Sequence, residues 1–218
     1  MSDELTPAVE DYVREIYKLQ HERGRATTSA IAERMGVSAP SATGMIKRLA
    51  SLSLVEHERY RGVVLTRAGE KKAIELIRHH RLLEQYLAQA LGLPIDAVHA
   101  EADRLEHALS EEVEARIDAS LGYPTHDPHG DPIPDARLRV AASSHGTLAA
   151  LGIGDRATVR RIPDGDPQVV RYLASMELLP SRAVEVVESA PFDGPLTIVV
   201  GGTRHPISRE LALQIHVG

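Results

Sequence analysis

Apolar positions recur at every third or fourth residue through the first 120 residues, then give way to short alternating runs towards the C-terminus. In 7–22, Val9, Tyr12, Val13, Ile16, Tyr17 and Leu19 form one stripe, with Thr6 placed to cap a helix and Pro7 at its first position. Gly24 breaks that helix. Two short helices follow across TTSAIAERMGVSAPSATGMIKRLASLSLV, the first capped by Thr28 or Ser29 and facing inward with Ile31, Ala32 and Met35. Gly36 supplies the positive φ of the turn between them. Ser38 caps the second, which buries Met45, Ile46 and Leu49. VEHERYRGVVLTRAGEKKA reads as strand, tight turn, strand, helix, with Thr66 as the cap. A long helix continues through EKKAIELIRHHRLLEQYLAQALGL, with Ile77, Leu83 and Leu87 on its apolar face. The helix bearing HAEADRLEH comes next, then SEEVEARIDASLG with Val113, Ile117 and Leu121. GYPTHDPHGDPIP is a turn-rich loop. RATVRRIP, AVEVVES, LTIVVGG, TRHPIS and LALQIHVG read as strands, with VVRYLASMEL as a helix between the first two. Several short strands and one helix suggest a small SH3-like β-barrel.

Helix, turn and helix followed by a basic hairpin is the pattern of a winged helix. The exposed face of the second helix offers Ser41, Thr43 and Gly44 near its start, with Lys47 and Arg48 further along. Small polar groups can approach base edges while cations meet phosphates, and Arg59 and Arg61 at the hairpin tip add charge. The overall charge of −6 argues against indiscriminate nucleic-acid binding, but its distribution is uneven. Residues 20–75 hold ten Lys/Arg against six Asp/Glu, whereas 76–135 hold four against twelve. A basic segment followed by an acidic one implies an anion-binding part and a cation-binding part. Only 3% of residues are aromatic, too few for a stacking platform for single strands. The chain has no cysteine, which excludes disulfides, thiolate metal sites and thiol catalysis and fits a cytoplasmic protein. No apolar run approaches the roughly 18 residues of a membrane span, and no signal peptide is evident.

Candidate chemistry concentrates in HAEADRLEH. If it is helical, Asp103, Glu106 and His107 share a face that His99 extends by a turn. Carboxylates and imidazoles together suit Mn2+, Fe2+ or Zn2+; a solvated acidic helix face is the competing reading. His80 and Glu84 lie one turn apart on the long helix, a pair also common on ordinary surfaces. Asp11 sits within the first helix. His126 and His129 lie among prolines, where local turn geometry explains them better than metal does. The apolar content of 74–121 exceeds what one helical layer buries, which points to a homodimer reading two half-sites.

Taken together, VEDYVREIY, SAPSATGMIKRL with RYRGVVLT, HRLLEQYL and HAEADRLEHALS resemble the diphtheria-toxin-repressor family of metal-dependent transcriptional regulators, over nearly the whole chain and in the same order. The proline run THDPHGDPIP is similar as well. The resemblance implies a mainly α protein with small β elements: a winged helix-turn-helix DNA-binding domain over 1–75, a helical dimerisation and metal-binding domain over 76–140, and an SH3-like, FeoA-like domain over 145–218. It implies a primary metal site of Asp11, Asp103, Glu106 and His107. An ancillary site would use His80, Glu84 and His99, completed from the barrel by Gln168 as the best match, with Asp164 or Asp166 as the others. It places DNA contacts at Ser38, Pro40, Ser41 and Thr43. Iron-dependent members carry methionine and cysteine where this chain has Asp11 and Asp103, so the primary site here is harder and leans to Mn2+, with Fe2+ as the alternative. Manganese regulators share the aspartate at position 11 but have glutamate where Arg14 stands. Gly44 replaces a glutamine of the iron-dependent members, so the operator sequence need not be theirs.

The expectation is a cytoplasmic homodimer that binds double-stranded operator DNA under metal control, with no membrane partner, no small organic substrate and no catalytic activity. A metallohydrolase would need a spare general base, which nothing marks, and would leave the winged helix unexplained. A winged-helix regulator of organic ligands with a structural acidic patch is the third reading, and insensitivity to EDTA would favour it.

Overall fold

The computed structural model describes residues 5–58, 62–141 and 145–218. The chain divides into two compact units, the first comprising 5–79, 106–108 and 134–140, the second 80–105, 109–133 and 141–218.

The first unit opens with α1 (Pro7–Arg23), which Thr6 precedes and Gly24 closes in the left-handed conformation. α2 (Thr28–Arg34) is capped by Thr27, whose hydroxyl accepts from the Ala30 N–H; the sequence had pointed one or two residues later. The first four N–H groups of a helix lack partners within it, and Thr27 is the residue whose extended backbone turns its hydroxyl back onto one of them. α3 (Ala39–Ser51) is capped by Ser38 as expected, and Gly36 takes positive φ in the turn before it. β1 (Val55–Glu58) and β2 (Gly62–Leu65) pair antiparallel, Val55 opposite Leu65. Gly62 stands so close to the preceding turn that a Cβ there would lie 2.6 Å from the Ala26 carbonyl oxygen, and its φ is +80°. Val9, Val13, Ile16, Leu19, Ile31 and Leu49 are all fully buried in the core of this unit. α4 (Arg67–Gln89) begins at Thr66, whose hydroxyl accepts from the Gly69 N–H at 3.1 Å, and its residues up to His79 belong here.

The second unit holds the rest of α4, α5 (Val98–Leu105) and α6 (Glu111–Ser120), around a small core of Leu82, Leu83, Leu87, Val98, Ala102, Ile117 and Ile133. Between α5 and α6, Glu106–Ala108 forms a 3-10 turn that belongs to the first unit. The expected unbroken helix through HAEADRLEH therefore ends at Leu105.

The same unit contains a six-stranded antiparallel sheet of β3 (Gly146–Thr147), β4 (Arg156–Arg161), β5 (Ala183–Ser189), β6 (Leu196–Val200), β7 (Thr203–Ile207) and β8 (His216–Val217), in the order β3-β8-β4-β5-β6-β7. α7 (Pro167–Ser175) lies between β4 and β5 in sequence, and α8 (Arg209–Ala212) just before β8. LALQIHVG was expected to be one strand. Ser208 instead caps a helical turn through the Leu211 N–H, so only His216 and Val217 pair as strand. Val159, Ile162, Leu173, Leu178, Val186, Ile198 and Ile215 are buried at the centre of this layer. No helix among the described residues is long and apolar enough to cross a membrane.

Candidate metal centres and DNA-reading face

In the first unit, α1 and the 3-10 turn bring Asp11, Glu106 and His107 together, with one ligand atom from each lying within 4.8 Å of the others. Atoms bound to one divalent ion at about 2.0–2.2 Å are separated by at most about 4.4 Å, so the cluster is near coordinating size. His107 Nε2 is 3.2 Å from Asp11 Oδ1 and 3.5 Å from Glu106 Oε1. Its other nitrogen, Nδ1, lies 2.6 Å from Glu10 Oε2, and Glu10 Oε1 lies 3.0 Å from Lys72 Nζ. A carboxylate accepting from Nδ1–H leaves Nε2 with its lone pair, the arrangement a histidine ligand needs. The Glu106 side chain is wholly buried, and its backbone carbonyl lies 3.2 Å from His79 Nδ1, which pins the turn to α4. Arg14 reaches the same cluster: Nη1 donates to Glu106 Oε1, and Nη2 lies 3.5 Å from Asp11 Oδ1. Two carboxylates and an imidazole form a hard donor set that a divalent cation fits, with Glu10 behind the imidazole as its outer partner.

Asp103, expected in this set, is carried by the second unit. Its carboxylate oxygens lie 3.5 Å from His80 Nδ1 and 3.8 Å from His99 Nε2, and these three residues form a cluster of their own.

Glu84 is the hub of that second region. Its Oε1 is 3.1 Å from His80 Nε2, 2.9 Å from His99 Nδ1 and 3.7 Å from His129 Nδ1. Glu84, His99 and Asp164 form one coordinating group, and Glu84, Asp127 and His129 another that is entirely buried. Of the expected barrel ligands, Asp164 is the one brought in, its Oδ2 3.8 Å from His99 Nδ1. Asp166 instead caps α7 by accepting from the Gln168 N–H, and both Asp166 and Gln168 are exposed. A cap at the start of a helix turns its carboxylate along the axis, which spends Asp166 on α7.

His129 is a residue that sequence reasoning set aside, and Asp127 is one that it did not single out. Asp127 Oδ1 accepts from the backbone N–H of His129 and of Asp131, folding DPHGD into a tight loop. Gly130, with φ of +93°, lets that loop approach β4: a Cβ there would fall 1.9 Å from the Arg160 carbonyl oxygen. His129 Nε2 is 3.1 Å from the Ile95 carbonyl, which directs Nδ1 towards Glu84. Glu84 Oε2, Asp127 Oδ2 and His129 Nδ1 are buried with no hydrogen-bond partner among the described residues. Such orphaned atoms are costly unless something satisfies them, and three of them converging is what a cation site offers. Electrostatics agree. Burial works against the Glu84 charge, yet the neighbouring imidazoles of His129, His80 and His99 hold its carboxyl well below the usual range. Burial and the charges of Glu84 and Asp131 push Asp127 well up. Burial opposes the His129 charge, but the nearby Glu84, with Asp127 and Asp164, outweighs it and raises the imidazole to about 9.

On the DNA side, Ser38, Pro40, Ser41, Thr43, Gly44, Lys47 and Arg48 are exposed on α3 or at its cap, whereas Ala42 and Leu49 are buried. The Ser38 and Ser41 hydroxyls lie 2.9 Å apart, and Thr43 donates back to the Ala39 carbonyl. Arg59 and Arg61 at the hairpin tip lie outside the described residues.

Comparison with known proteins agrees with this division of labour. Residues 4–63 match the family described as the iron dependent repressor, N-terminal DNA binding domain; 66–135 match its metal binding and dimerisation domain; and 146–218 match the FeoA domain. The iron-dependent repressor IdeR of Mycobacterium bovis is 32% identical over 233 residues, spanning 99% of this chain and 98% of its own. Among solved structures, a manganese-dependent transcriptional repressor in complex with manganese is 39% identical with a TM-score of 0.86, covering 96% of this chain and 98% of its own. The manganese regulator SloR is 32% identical with a TM-score of 0.78, covering 98% and 99%.

Proposed function

The chain belongs to the diphtheria-toxin-repressor family of metal-dependent transcriptional repressors, and we propose that it is a Mn2+-responsive member that binds operator DNA as a homodimer in the cytoplasm. Residues 1–75 read DNA, 76–140 hold the dimer and most metal ligands, and 145–218 contribute Asp164. The observation that carries this reading is the meeting of Asp11 with Glu106 and His107. One ligand comes from the helix that leads into the DNA-binding domain, and two come from the turn beyond α5.

A bound divalent ion supplies positive charge that lets these carboxylates lie together. Everything else is done by the chain. Asp11 fixes α1 to the turn, Glu10 and Lys72 set the orientation of His107, and His79 holds the backbone of Glu106. With α1 fixed, the helices packed on it present α3 in one orientation, which a palindromic operator requires of each half of a dimer. Coupling is reciprocal, so operator DNA tightens metal binding by the same factor as metal tightens DNA binding. In the second unit, Glu84, Asp127, His129, His99 and Asp164 form an additional centre, with His80 and Asp103 adjoining it.

The preference for Mn2+ follows from the donor set: oxygen and imidazole nitrogen, with no sulfur ligand in a chain that lacks cysteine. Fe2+ is the second reading, favoured by the likeness to an iron-dependent repressor. Operator binding measured anaerobically with Mn2+, Fe2+, Zn2+ and no metal, at one salt concentration, separates them. Tightest binding with Mn2+ supports the proposal, tightest binding with Fe2+ the second reading, and binding indifferent to metal or EDTA sinks both.

A further inference from the structure

We infer that Arg14 is a resident counter-ion of the Asp11–Glu106–His107 centre, that it must cede both carboxylates and move onto Glu15 when a metal binds, and that this exchange sets the metal concentration at which the centre fills. The inference rests on the metal-centre reading above.

The oxygens that face His107 Nε2 are Asp11 Oδ1 at 3.2 Å and Glu106 Oε1 at 3.5 Å. Arg14 engages those same two atoms, Nη1 on Glu106 Oε1 and Nη2 3.5 Å from Asp11 Oδ1. A guanidinium is a flat fork that stays charged at any physiological pH, so it cannot leave by losing a proton. It holds the carboxylates as a cation or releases them by moving. Glu106 has no exposed side-chain surface, and a buried carboxylate without a counter-charge is strongly destabilising. Arg14 therefore makes the cluster tolerable on its own, at the expense of competing for its ligand atoms.

Arg14 also has somewhere to go. Its Nε lies 3.3 Å from Glu15 Oε1, on the side of α1 where Glu15 further meets Lys18 at 3.4 Å and Arg34 at 3.4 Å. A short swing of the fork exchanges Asp11 and Glu106 for Glu15 without leaving the guanidinium unpaired. Arg14 and Glu15 thus have opposite effects on metal uptake: Arg14 resists it, and Glu15 eases it.

The test is calorimetric titration of the full-length, DNA-free protein with Mn2+, the binding step of this centre being the one that His107→Ala abolishes. Arg14→Gln is expected to tighten that step on the order of tenfold and to lower the melting temperature of the metal-free protein. Glu15→Gln is expected to weaken the same step about threefold, since Arg14 then lacks its alternative partner. Unchanged or weaker Mn2+ affinity in Arg14→Gln overturns the inference. Should that variant not fold, unchanged or tighter affinity in Glu15→Gln overturns it instead. A wild-type protein with no His107-dependent step sinks the metal-centre reading, and this inference with it, which distinguishes the two failures.

Discussion

Glu10 Oε2 lies 2.6 Å from His107 Nδ1, across 97 residues of sequence, and so decides which nitrogen of that histidine faces the metal ligands. Glu10 is itself buried and paired with Lys72. Removing the carboxylate by Glu10→Ala frees the ring to rotate and to take the wrong tautomer. Mn2+ affinity at this centre should fall by about 10- to 100-fold, the usual effect of losing such an outer partner. Isothermal titration measures it, and an unchanged affinity would show that His107 is oriented by something else.

Asp11→Ala removes the α1 ligand and leaves the 3-10 turn intact. Asp11 is partly exposed, so the fold should survive, with circular dichroism and dimer mass unchanged. Operator binding should lose most of its response to Mn2+ in a gel-shift titration. A wild-type response in the variant would end the idea that α1 is fixed through this residue.

The second centre makes a distinct prediction, because its ligands are buried. Asp127→Asn should reduce bound Mn2+ by one equivalent per chain while sparing the His107-dependent step. His129→Leu should be harsher. It strips Glu84 of the buried imidazole charge beside it, and breaking a buried charge pair costs about 3–5 kcal/mol. Chemical denaturation in excess EDTA reads this cost, and full metal stoichiometry in both variants would remove the second centre.

His216 supplies a pH signature away from the metal ligands. Burial, and then the charge of Arg161, hold its pKa below the ordinary 6.5, and Arg161 Nη2 lies 3.1 Å from His216 Nε2. The folded chain therefore takes up this proton less readily than the unfolded one. The contribution to stability is complete above pH 6.5 and is lost as pH falls through the lower folded value. His216→Gln should flatten that part of the stability–pH curve, and an NMR titration placing His216 above 6.5 would reverse the sign.

The parts of this protein legible in sequence are those built on period. Ile16, Leu19, Ile31 and Leu49 announced three helices, and Ser38 and Thr66 marked two helix starts where the structure has them. The strands from β4 to β7 were visible, but the two-residue β3 is too short to show a period, and Ser208 caps a helical turn at the start of the last run. The metal chemistry was only half legible. His80, Glu84 and His99 meet as expected and Asp164 joins them, whereas Asp166 caps α7 and Gln168 is exposed. Asp127 and His129 were invisible because a loop of Asp, Pro and Gly carries no periodicity from which to infer burial. The one signal available was DPHGD itself, where an aspartate two residues before a histidine can fold the backbone onto its own carboxylate. Arg14 was legible as a departure from manganese regulators, but not as a ligand-holding cation.

Gly130 admits the backbone of its loop to within contact of Arg160, and the His129 carbonyl accepts from the Ile162 N–H at 2.9 Å. Two residues that hold the second centre are thus braced by a strand of the C-terminal barrel. Deleting the barrel would take away more than Asp164, because the loop would lose the wall it is folded against. A chain without this domain would lose the wall of the second proposed centre, whereas the residues of the proposed centre on α1 lie within the other unit. The second proposed centre is therefore a joint possession of helix and barrel, whereas Asp11, Glu106 and His107 all lie in the DNA-reading unit.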